Sequence, residues 1–296
     1  MEILRDFYER NPYPRIPLVA SASPEQALTL RYSHGVTACF GRSAPVMVVD
    51  RPRILVAGCG TFEPYMVALA NPEAEIVAVD LSSSALRRLR WRLWIHGMAP
   101  RVELVQGDLL DLPERLGRFH YMIATGVIHH LPDPLAGLRA LEARLEPFGV
   151  MRLMLYSRHG RESVRMLRDF ARLMGVSDGA GLRELLRRLP RNHPFQYAFH
   201  LYSDADNETG LNDGFFHPCE HHFAAEEVEA LLAGAGLEAR HFLHSPGGRP
   251  ERFDELFRPA RGISPWRKIA ALDRLNELES NFRFFCARSR EVRTWS

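Results

Sequence analysis

The chain has 296 residues, of which 46% are hydrophobic and 25% are charged, as in a globular protein with a buried core. Its 38 Lys and Arg residues nearly balance 36 Asp and Glu residues, so the charge does not indicate a nucleic-acid partner. Four scattered cysteines without a CxxC pair argue against a disulfide framework or a zinc ribbon. Because the N-terminus lacks a signal-peptide core and no apolar run reaches the roughly 18 residues of a membrane helix, the sequence predicts a cytoplasmic protein.

Residues 1–50 predict an N-terminal arm rather than part of a sheet. A short helical start precedes the stretch NPYPRIPL at 11–18, whose prolines disfavour helix and favour extended backbone. We expect this arm to lie over another part of the protein as a lid.

A regular alternation of strands and helices over residues 51–157 predicts the core of the protein. Apolar segments of strand length alternate with helical ones, which is typical of a parallel, doubly wound α/β sheet covered on both faces. Residues 158–223 break the alternation with basic helices and an aromatic stretch, and they predict an inserted cap above the carboxyl edge of the sheet. Residues 224–296 return to the core pattern. The seven predicted strands are RILVAG, AEIVAVDLS, RVELVQ, FHYMIAT, VMRLMLYS, EARHFLH and NFRFFCARS.

The helical segment RRLRWRLW at 87–94 carries arginines at helical spacing. A solvated helix face is the ordinary interpretation of such a cluster, and contact with nucleic acid is the alternative. The near-neutral charge of the whole chain favours the solvated face.

Three strand ends carry residues suited to a nucleotide. Gly58 and Gly60 end the first predicted strand in a sharp turn that exposes backbone N–H groups. Asp80 ends the second strand about 20 residues downstream, where a carboxylate reaches ribose hydroxyls. Asp108 ends the third strand beside the same crevice. Together these positions indicate a ligand that contains adenosine, whereas either aspartate alone could simply cap the helix or turn that follows it.

Six segments carry further motifs, and they are FYERNPYPR, ILVAGCGTFEP, VAVDLSSSAL, QGDLLDL, GVIHHLPDPLAGLRAL and GVMRLMLYS. In these segments the chain resembles the class I S-adenosylmethionine-dependent methyltransferases, and its NPYPR-like arm resembles one subgroup of them. The resemblance implies a Rossmann-like, mostly parallel seven-stranded sheet with an antiparallel last strand, and S-adenosylmethionine as the cofactor. A nicotinamide oxidoreductase would carry G-x-G-x-x-G, and Glu63 occupies the position of its last glycine.

The resemblance also implies roles for individual residues in cofactor binding. The glycine turn would pass under the methionine part, Asp80 would bind the ribose hydroxyls, and Asp108 would accept from the adenine amino group. Phe62 departs from the family, since many members have a third glycine there, and we expect its ring to pack against the cofactor or a lid. The implied cofactor-binding residues are Ala57, Gly58, Cys59, Gly60, Asp80, Leu81, Asp108, Leu109, Thr125, Gly126 and Val127.

Three histidines are candidates for a catalytic base or for positioning the acceptor. Imidazole titrates near neutral pH, and His129, His130 and His217 lie where the resemblance places the acceptor. A purely structural role in orienting the loop is the alternative for the His129–His130 pair. The candidate substrate-binding residues are Tyr8, Tyr13, Arg15, Tyr156, Phe216 and His217.

The segment NDGFFHPCEHHFAAEEV at 212–228 resembles a segment of the same subgroup, in which an Asp-Arg pair stands where this chain has Glu220 and His221. On a strand, His217, Cys219 and His221 would share one face and could bind a metal. Pro218 works against a regular strand, so an acceptor pocket is favoured, a purely structural role of the loop is the alternative, and no metal is predicted.

The sequence therefore predicts methyl transfer from S-adenosylmethionine to a small molecule by in-line displacement, in which the protein mainly orients the reactants and excludes water. Methylation of RNA or protein and a non-catalytic cofactor-binding module are the alternatives. No nucleic-acid or membrane partner is expected, and the protein is predicted to be a monomer or a homodimer.

Overall fold

A computed structural model describes residues 2–201, 207–243, 250–257, 262–278 and 280–291. All seven predicted strands are present, although His244, at the end of the sixth prediction, lies outside the described residues. The strands are β1 (Arg53–Ala57), β2 (Glu75–Asp80), β3 (Val102–Gln106), β4 (Phe119–Thr125), β5 (Leu145–Tyr156), β6 (Leu237–Phe242) and β7 (Asn281–Arg288).

These strands form one sheet in the order β3-β2-β1-β4-β5-β7-β6. Strands β1 to β5 pair in parallel, whereas β7 lies between β5 and β6 and is antiparallel to both. The predicted Rossmann-like, mostly parallel sheet with an antiparallel last strand is therefore confirmed. Because the chain order reverses between β1 and β4, the carboxyl ends of these two strands leave a crevice in which such folds bind ligands.

Helices cover both faces of the sheet, as the unbroken apolar strands predict. Neighbouring residues of one strand enter opposite cores because the side-chain period is two: Leu55 belongs to one buried apolar cluster and Ile54 to the other. In the described residues, no helix has the length and apolar character needed to cross a membrane. The helices are α1 (Glu2–Arg10), α2 (Tyr32–Phe40), α3 (Glu63–Ala70), α4 (Ser83–Ile95), α5 (Pro134–Ala143), α6 (Glu162–Leu173), α7 (Gly179–Arg187), α8 (Pro194–Leu201), α9 (Glu208–Phe216), α10 (Ala225–Gly234), α11 (Pro250–Leu256) and α12 (Pro265–Arg274).

The inserted region after β5 is helical and has an apolar core of its own. Helices α6, α7 and α9 pack together around Leu167, Leu182 and Phe215, which are all buried. Phe216 packs against this same cluster. The metal alternative assumed a strand over His217–His221, but the structure has a loop there, directly after α9.

One arginine of the RRLRWRLW segment is buried, which corrects the solvated-face interpretation for that residue. Arg92 is fully buried and its guanidinium donates to the backbone carbonyls of Thr61 and of four arm residues between positions 16 and 20. Arg87 and Arg90 on the same helix are exposed, as predicted. Arg92 therefore fastens the arm to α4, because five carbonyl oxygens converge on one planar cation.

Candidate active site

A cavity of about 280 Å³ opens at the carboxyl ends of β1, β2 and β4. The arm contributes Tyr8 and Tyr13 to its wall, and α9 contributes Asp213. The cavity is thus built by three parts of the chain that are far apart in sequence. The predicted cofactor-binding residues that line it are Gly58, Cys59, Gly60, Asp80, Leu81, Leu109, Thr125, Gly126 and Val127.

The glycine turn has a backbone that side chains would obstruct. Gly58 and Gly60 both have a φ of +56°, which favours glycine. A Cβ on Gly58 would lie 2.5 Å from Cγ2 of Val127, and one on Gly60 would lie 2.6 Å from the Tyr13 carbonyl oxygen. The missing side chains therefore leave room for the cavity wall on one side and for the arm on the other.

We expect Gly58→Ala to weaken cofactor binding by at least about 10-fold, because the new methyl group displaces Val127 in the cavity wall in addition to the backbone cost of about 1 kcal/mol. Gly97→Ala is the matched control: its φ is also positive, at +69°, and nothing lies within 4 Å of the added Cβ. Calorimetric titration with S-adenosylhomocysteine checks both variants. Equal losses of affinity in the two variants would contradict the role of the Val127 contact.

Asp80 is held in place by the backbone of its neighbours. Its Oδ2 accepts from Gly60 N at 2.8 Å and its Oδ1 accepts from Ser82 N at 2.9 Å. Burial raises the pKa of this carboxyl, while the two N–H donors oppose the rise. Ser82, not Asp80, caps α4, since its Oγ accepts from Ala85 N at 3.1 Å. The carboxylate of Asp80 consequently faces the cavity as a fixed acceptor.

Two of the predicted cofactor residues do not line the cavity. Ala57 is fully buried within β1. Asp108 caps a short 3₁₀ turn, and its Oδ1 accepts from Leu110 N at 2.9 Å, as the structural alternative expected. Its neighbours Gly107 and Leu109 do line the cavity. The adenine role of Asp108 stays a prediction.

Phe62, which replaces the expected third glycine, lines the cavity and also contacts the helix that holds the arm. The Arg92 guanidinium carbon lies 4.7 Å from the centre of the Phe62 ring, so a cation–π contact joins the two. Thr61, just before it, donates its backbone N–H to the Tyr13 carbonyl at 3.1 Å. Phe62 thus packs between the cavity and Arg92, the residue that fastens the arm to α4.

Glu63 lines the cavity, although no binding role was predicted for it. Burial raises the pKa of its carboxyl, although Arg152 and the Thr125 hydroxyl oppose this. Arg152 Nη1 donates to Thr125 Oγ1 at 2.8 Å and lies 3.9 Å from Glu63 Oε1. These contacts fix the carboxylate beside the β4 end, where a bound cation would offset the cost of its burial.

Tyr8, His130, Tyr156 and Asp213 converge on the same cavity from the arm, the core and the cap. The Tyr8 hydroxyl donates to Asp213 Oδ1 at 3.2 Å. Burial raises the pKa of Tyr8 well above its ordinary value, and Asp213 adds to the rise, so Tyr8 stays protonated. Asp213 was not predicted, because only the folded chain brings it within reach of a residue 205 positions away.

His130, Asp213 and His217 form a buried group that we term the polar trio. One nitrogen of each imidazole and one carboxylate oxygen lie within 4.8 Å of one another. The histidine rings are tilted against each other with centroids 3.8 Å apart. Burial lowers the pKa of His130 to about 4 and that of His217 to about 3, so both rings are neutral at pH 7.

Backbone contacts define the tautomers of these two rings. His130 Nδ1 lies 3.0 Å from the Cys219 carbonyl oxygen, which only accepts, so the proton is on Nδ1 and Nε2 has a lone pair. His217 Nδ1 accepts from Cys219 N at 3.1 Å, so Nε2 carries the proton, and this buried N–H has no partner among the described residues. His217 therefore offers no lone pair to a metal ion, although two histidines and a carboxylate are a common metal-binding set.

The remaining candidate residues lie behind the wall or outside the cavity. His129 is fully buried and stacks on Tyr156 with ring centroids 3.8 Å apart. Arg15 is exposed, and Phe216 packs in the cap. Among the described residues, His217 is grouped with His130 and Asp213 and not with Cys219 and His221.

A buried charge cluster behind Tyr156 was also missed from sequence. The Arg161 guanidinium carbon lies 3.7 Å from the Tyr156 ring centre, and Arg161 Nη2 lies 3.2 Å from Glu220 Oε1. Burial alone would raise the pKa of Glu220, but hydrogen bonding to His222 and the charge of Arg161 bring it down to about 2. Glu220 therefore connects the cap to the wall of the site through Arg161 and Tyr156. From the sequence, Glu220 was distinguished only because it differs from the subgroup motif.

The lining fits S-adenosylmethionine, which carries a positive sulfonium and an ammonium group. Within the described residues, the cavity wall contains the carboxylates of Glu63, Asp80 and Asp213 and no Lys or Arg. Favourable charge pairing in a largely buried site would stabilise such a ligand. The glycine turn and Asp80 supply the close backbone approach and the fixed acceptor that the adenosine part needs.

Comparisons with known proteins identify the kind of enzyme that the chain resembles. A family model described as a methyltransferase domain matches residues 55–151. The uncharacterized protein syc1184_c of Synechococcus sp. is 30% identical over 296 residues, which covers 95% of this chain and 70% of that protein. The ubiquinone/menaquinone biosynthesis C-methyltransferase UbiE of Shewanella sp. is 26% identical over 172 residues, covering 54% of this chain and 68% of UbiE.

A solved structure, PKMT2 from Rickettsia typhi in complex with AdoHcy, superposes with a TM-score of 0.65 at 16% identity over 94% of this chain. This chain spans only 55% of PKMT2. At 16% identity, this similarity shows a shared fold only. The match to the methyltransferase domain and the similarity to the two relatives are similarities of sequence. Residues 55–151 are accordingly a methyltransferase domain with the fold of the class I S-adenosylmethionine-dependent methyltransferases, and the chain belongs to the same family as the Synechococcus protein.

Proposed function

We propose that this methyltransferase acts on a small organic acceptor enclosed between the core, the arm and the cap. The observation that carries the proposal is the composition of the cavity wall, in which Tyr13, His130 and Asp213 come from all three parts. Arm and cap are joined directly, since Asn212 donates to Asn11 at 3.0 Å. Residues 158–223 would thus act as a substrate region over the core. Of residues 1–50, the part that lines the cavity would act as a lid, whereas α2 packs against β5 and β7 and belongs to the core.

When bound, S-adenosylmethionine supplies an activated methyl group. The residues proposed to hold it are the glycine turn, Asp80 with Leu81, Asp108 with Leu109, and residues 125–127. Tyr8, Tyr13 and Tyr156 are proposed to position the acceptor. Closure of the arm excludes water and holds the reactants in line, which is the main catalytic contribution such a transfer requires.

His130 is the proposed general base. Its Nε2 lone pair is available because Nδ1 donates to the Cys219 carbonyl, and its ring lines the cavity. His217 and His129 lie behind it and would orient its ring. A cytoplasmic location and a monomeric or homodimeric state remain predictions from the sequence.

Labelled S-adenosylmethionine tests this proposal with two acceptor fractions of a cell extract, one of small molecules and one of macromolecules. We expect label to pass to the small-molecule fraction. His130→Ala should transfer about 100-fold more slowly, the usual effect of losing a general base, while binding S-adenosylhomocysteine normally. His221→Ala, which changes a ring outside the cavity wall, is the control. Label appearing in protein or RNA alone would contradict the small acceptor.

A further inference from the structure

The acidic side chains of the cavity wall differ in their surroundings. Asp80 accepts from the glycine turn at the proposed ribose position, and Asp213, on α9 of the cap, accepts from Tyr8 of the arm. Glu63, in the first turn of α3, is the third acidic side chain of the wall. Within the described residues this wall contains no Lys or Arg. Glu63 therefore remains as an acidic group that neither holds adenosine nor joins the arm to the cap.

The carboxylate of Glu63 can accept from a further donor. Its side chain lines the cavity and keeps 20% of its surface accessible. Arg152 Nη1 lies 3.9 Å from Glu63 Oε1, which exceeds hydrogen-bond distance, and donates instead to Thr125 Oγ1 at 2.8 Å. Burial raises the pKa of Glu63 although both neighbours oppose the rise, so a ligand cation would stabilise its charge further. With about four lone-pair sites, a carboxylate has room for such a ligand beside these neighbours.

The order of the strands places Glu63 at the amino-acid end of a bound cofactor. Strand β1 lies between β2 and β4. A cofactor with its ribose at Asp80, the last residue of β2, would cross the glycine turn after β1 toward Thr125 at the end of β4. Glu63 begins the helix after that turn and neighbours Thr125. The end of the cofactor that arrives there carries an ammonium and a carboxylate on one carbon.

We propose that Glu63 binds the ammonium group of S-adenosylmethionine, and that the site forms no ion pair with the carboxylate on the same carbon. This inference rests on the proposed function of the cavity, in which the glycine turn and Asp80 hold the cofactor. A charge-assisted hydrogen bond to Glu63 favours the ammonium. The carboxylate meets a wall that, among the described residues, has acidic side chains and no Lys or Arg.

The two charged groups of the amino-acid end should therefore contribute unequally to affinity. An S-adenosyl compound without the carboxylate loses no ion pair and avoids repulsion by the acidic wall. A compound without the amino group loses its contact with Glu63 and leaves a carboxylate beside that residue in a largely buried site. The cavity is thus expected to select its ligand by the amino group and to accept decarboxylated S-adenosyl compounds.

Three thioethers that share one adenosine part test the inference by calorimetric titration at pH 7. They are S-adenosylhomocysteine, its decarboxylated analogue S-adenosyl-3-thiopropylamine and its deaminated analogue S-adenosyl-4-thiobutyrate. Because none carries a sulfonium, the comparison isolates the amino and carboxylate groups. We expect the decarboxylated analogue to bind at least as tightly as S-adenosylhomocysteine, and the deaminated analogue to bind at least about 10-fold more weakly.

Glu63→Gln should abolish the preference for the amino group, because the amide has nearly the same shape but no charge. This variant should bind the deaminated analogue at least as tightly as the wild type does, and that binding also reports correct folding. Glu73→Gln is the matched control, since Glu73 is an exposed glutamate in the loop after α3. It should keep the preference.

Weaker binding of the decarboxylated analogue than of S-adenosylhomocysteine would reveal a carboxylate contact and overturn the inference. Equal binding of the deaminated analogue by the wild-type protein would also overturn it, without any variant, as would an amino preference that survives in Glu63→Gln. In these cases the product still binds and the methyltransferase site stands. If S-adenosylhomocysteine itself does not bind the wild-type protein, the proposed function fails and this inference fails with it.

Discussion

The Asp80→Ala protein is expected to bind S-adenosylhomocysteine at least about 100-fold more weakly than the wild type. Each of the two ribose hydroxyls would lose a hydrogen bond to a charged acceptor, and such a bond contributes about 1.5–3 kcal/mol. The glycine turn would also lose its fixed position, since Asp80 Oδ2 accepts from Gly60 N at 2.8 Å. Calorimetry at constant pH measures the difference directly.

Asp111→Ala is the matched control for this variant. Asp111 lies in the short turn after β3, near the same edge of the sheet, but it is exposed and does not line the cavity. Its loss should leave the affinity unchanged. An Asp80→Ala protein that folds normally and binds the product as tightly as Asp111→Ala does would remove Asp80 from the cofactor site.

Arg92→Ala is expected to lower the free energy of unfolding by about 3–5 kcal/mol, because a fully buried cation with five carbonyl partners disappears and leaves those acceptors unpaired. The arm should also detach, since four of these carbonyls belong to residues 16–20. Urea unfolding measures the first effect, and faster proteolytic cleavage within the arm measures the second.

Two further variants separate this anchoring role from a general effect of charge. Arg92→Lys should recover little stability, because an ammonium has three donors and cannot reach the carbonyls that the planar guanidinium joins. Arg90→Ala removes an exposed arginine from the same helix and should change the unfolding free energy by less than about 0.5 kcal/mol. Equal effects of Arg92→Ala and Arg90→Ala would contradict the anchor.

The sheet and the cofactor end of the cavity were predictable because their signals are local. Apolar runs of strand length, the Gly58–Gly60 turn and Asp80 all lie within one strand–helix–strand unit, where spacing along the chain fixes position in space. For Asp108, local signals fit two roles equally well, adenine binding and capping of the next turn. Its side chain caps the turn that follows, and the sequence contains no signal that separates this role from adenine binding.

The acceptor end was less predictable because its contacts join distant segments. Asp213 meets Tyr8 across 205 positions, and Glu220 meets Arg161 across the cap. Helical spacing also cannot show which arginine of RRLRWRLW is buried, since the partners of Arg92 are backbone carbonyls in an arm without a periodic pattern. Such contacts depend on how irregular segments pack, which composition and spacing do not determine.

Titration of the wild-type protein with S-adenosylmethionine and S-adenosylhomocysteine, followed by competition with NAD, tests the central assignment most directly. The cavity should bind either sulfur compound at one site per chain with micromolar affinity, and NAD should not displace them. An absence of saturable binding by both compounds, or binding of NAD in their place, would contradict the assignment of this cavity as the methyltransferase site.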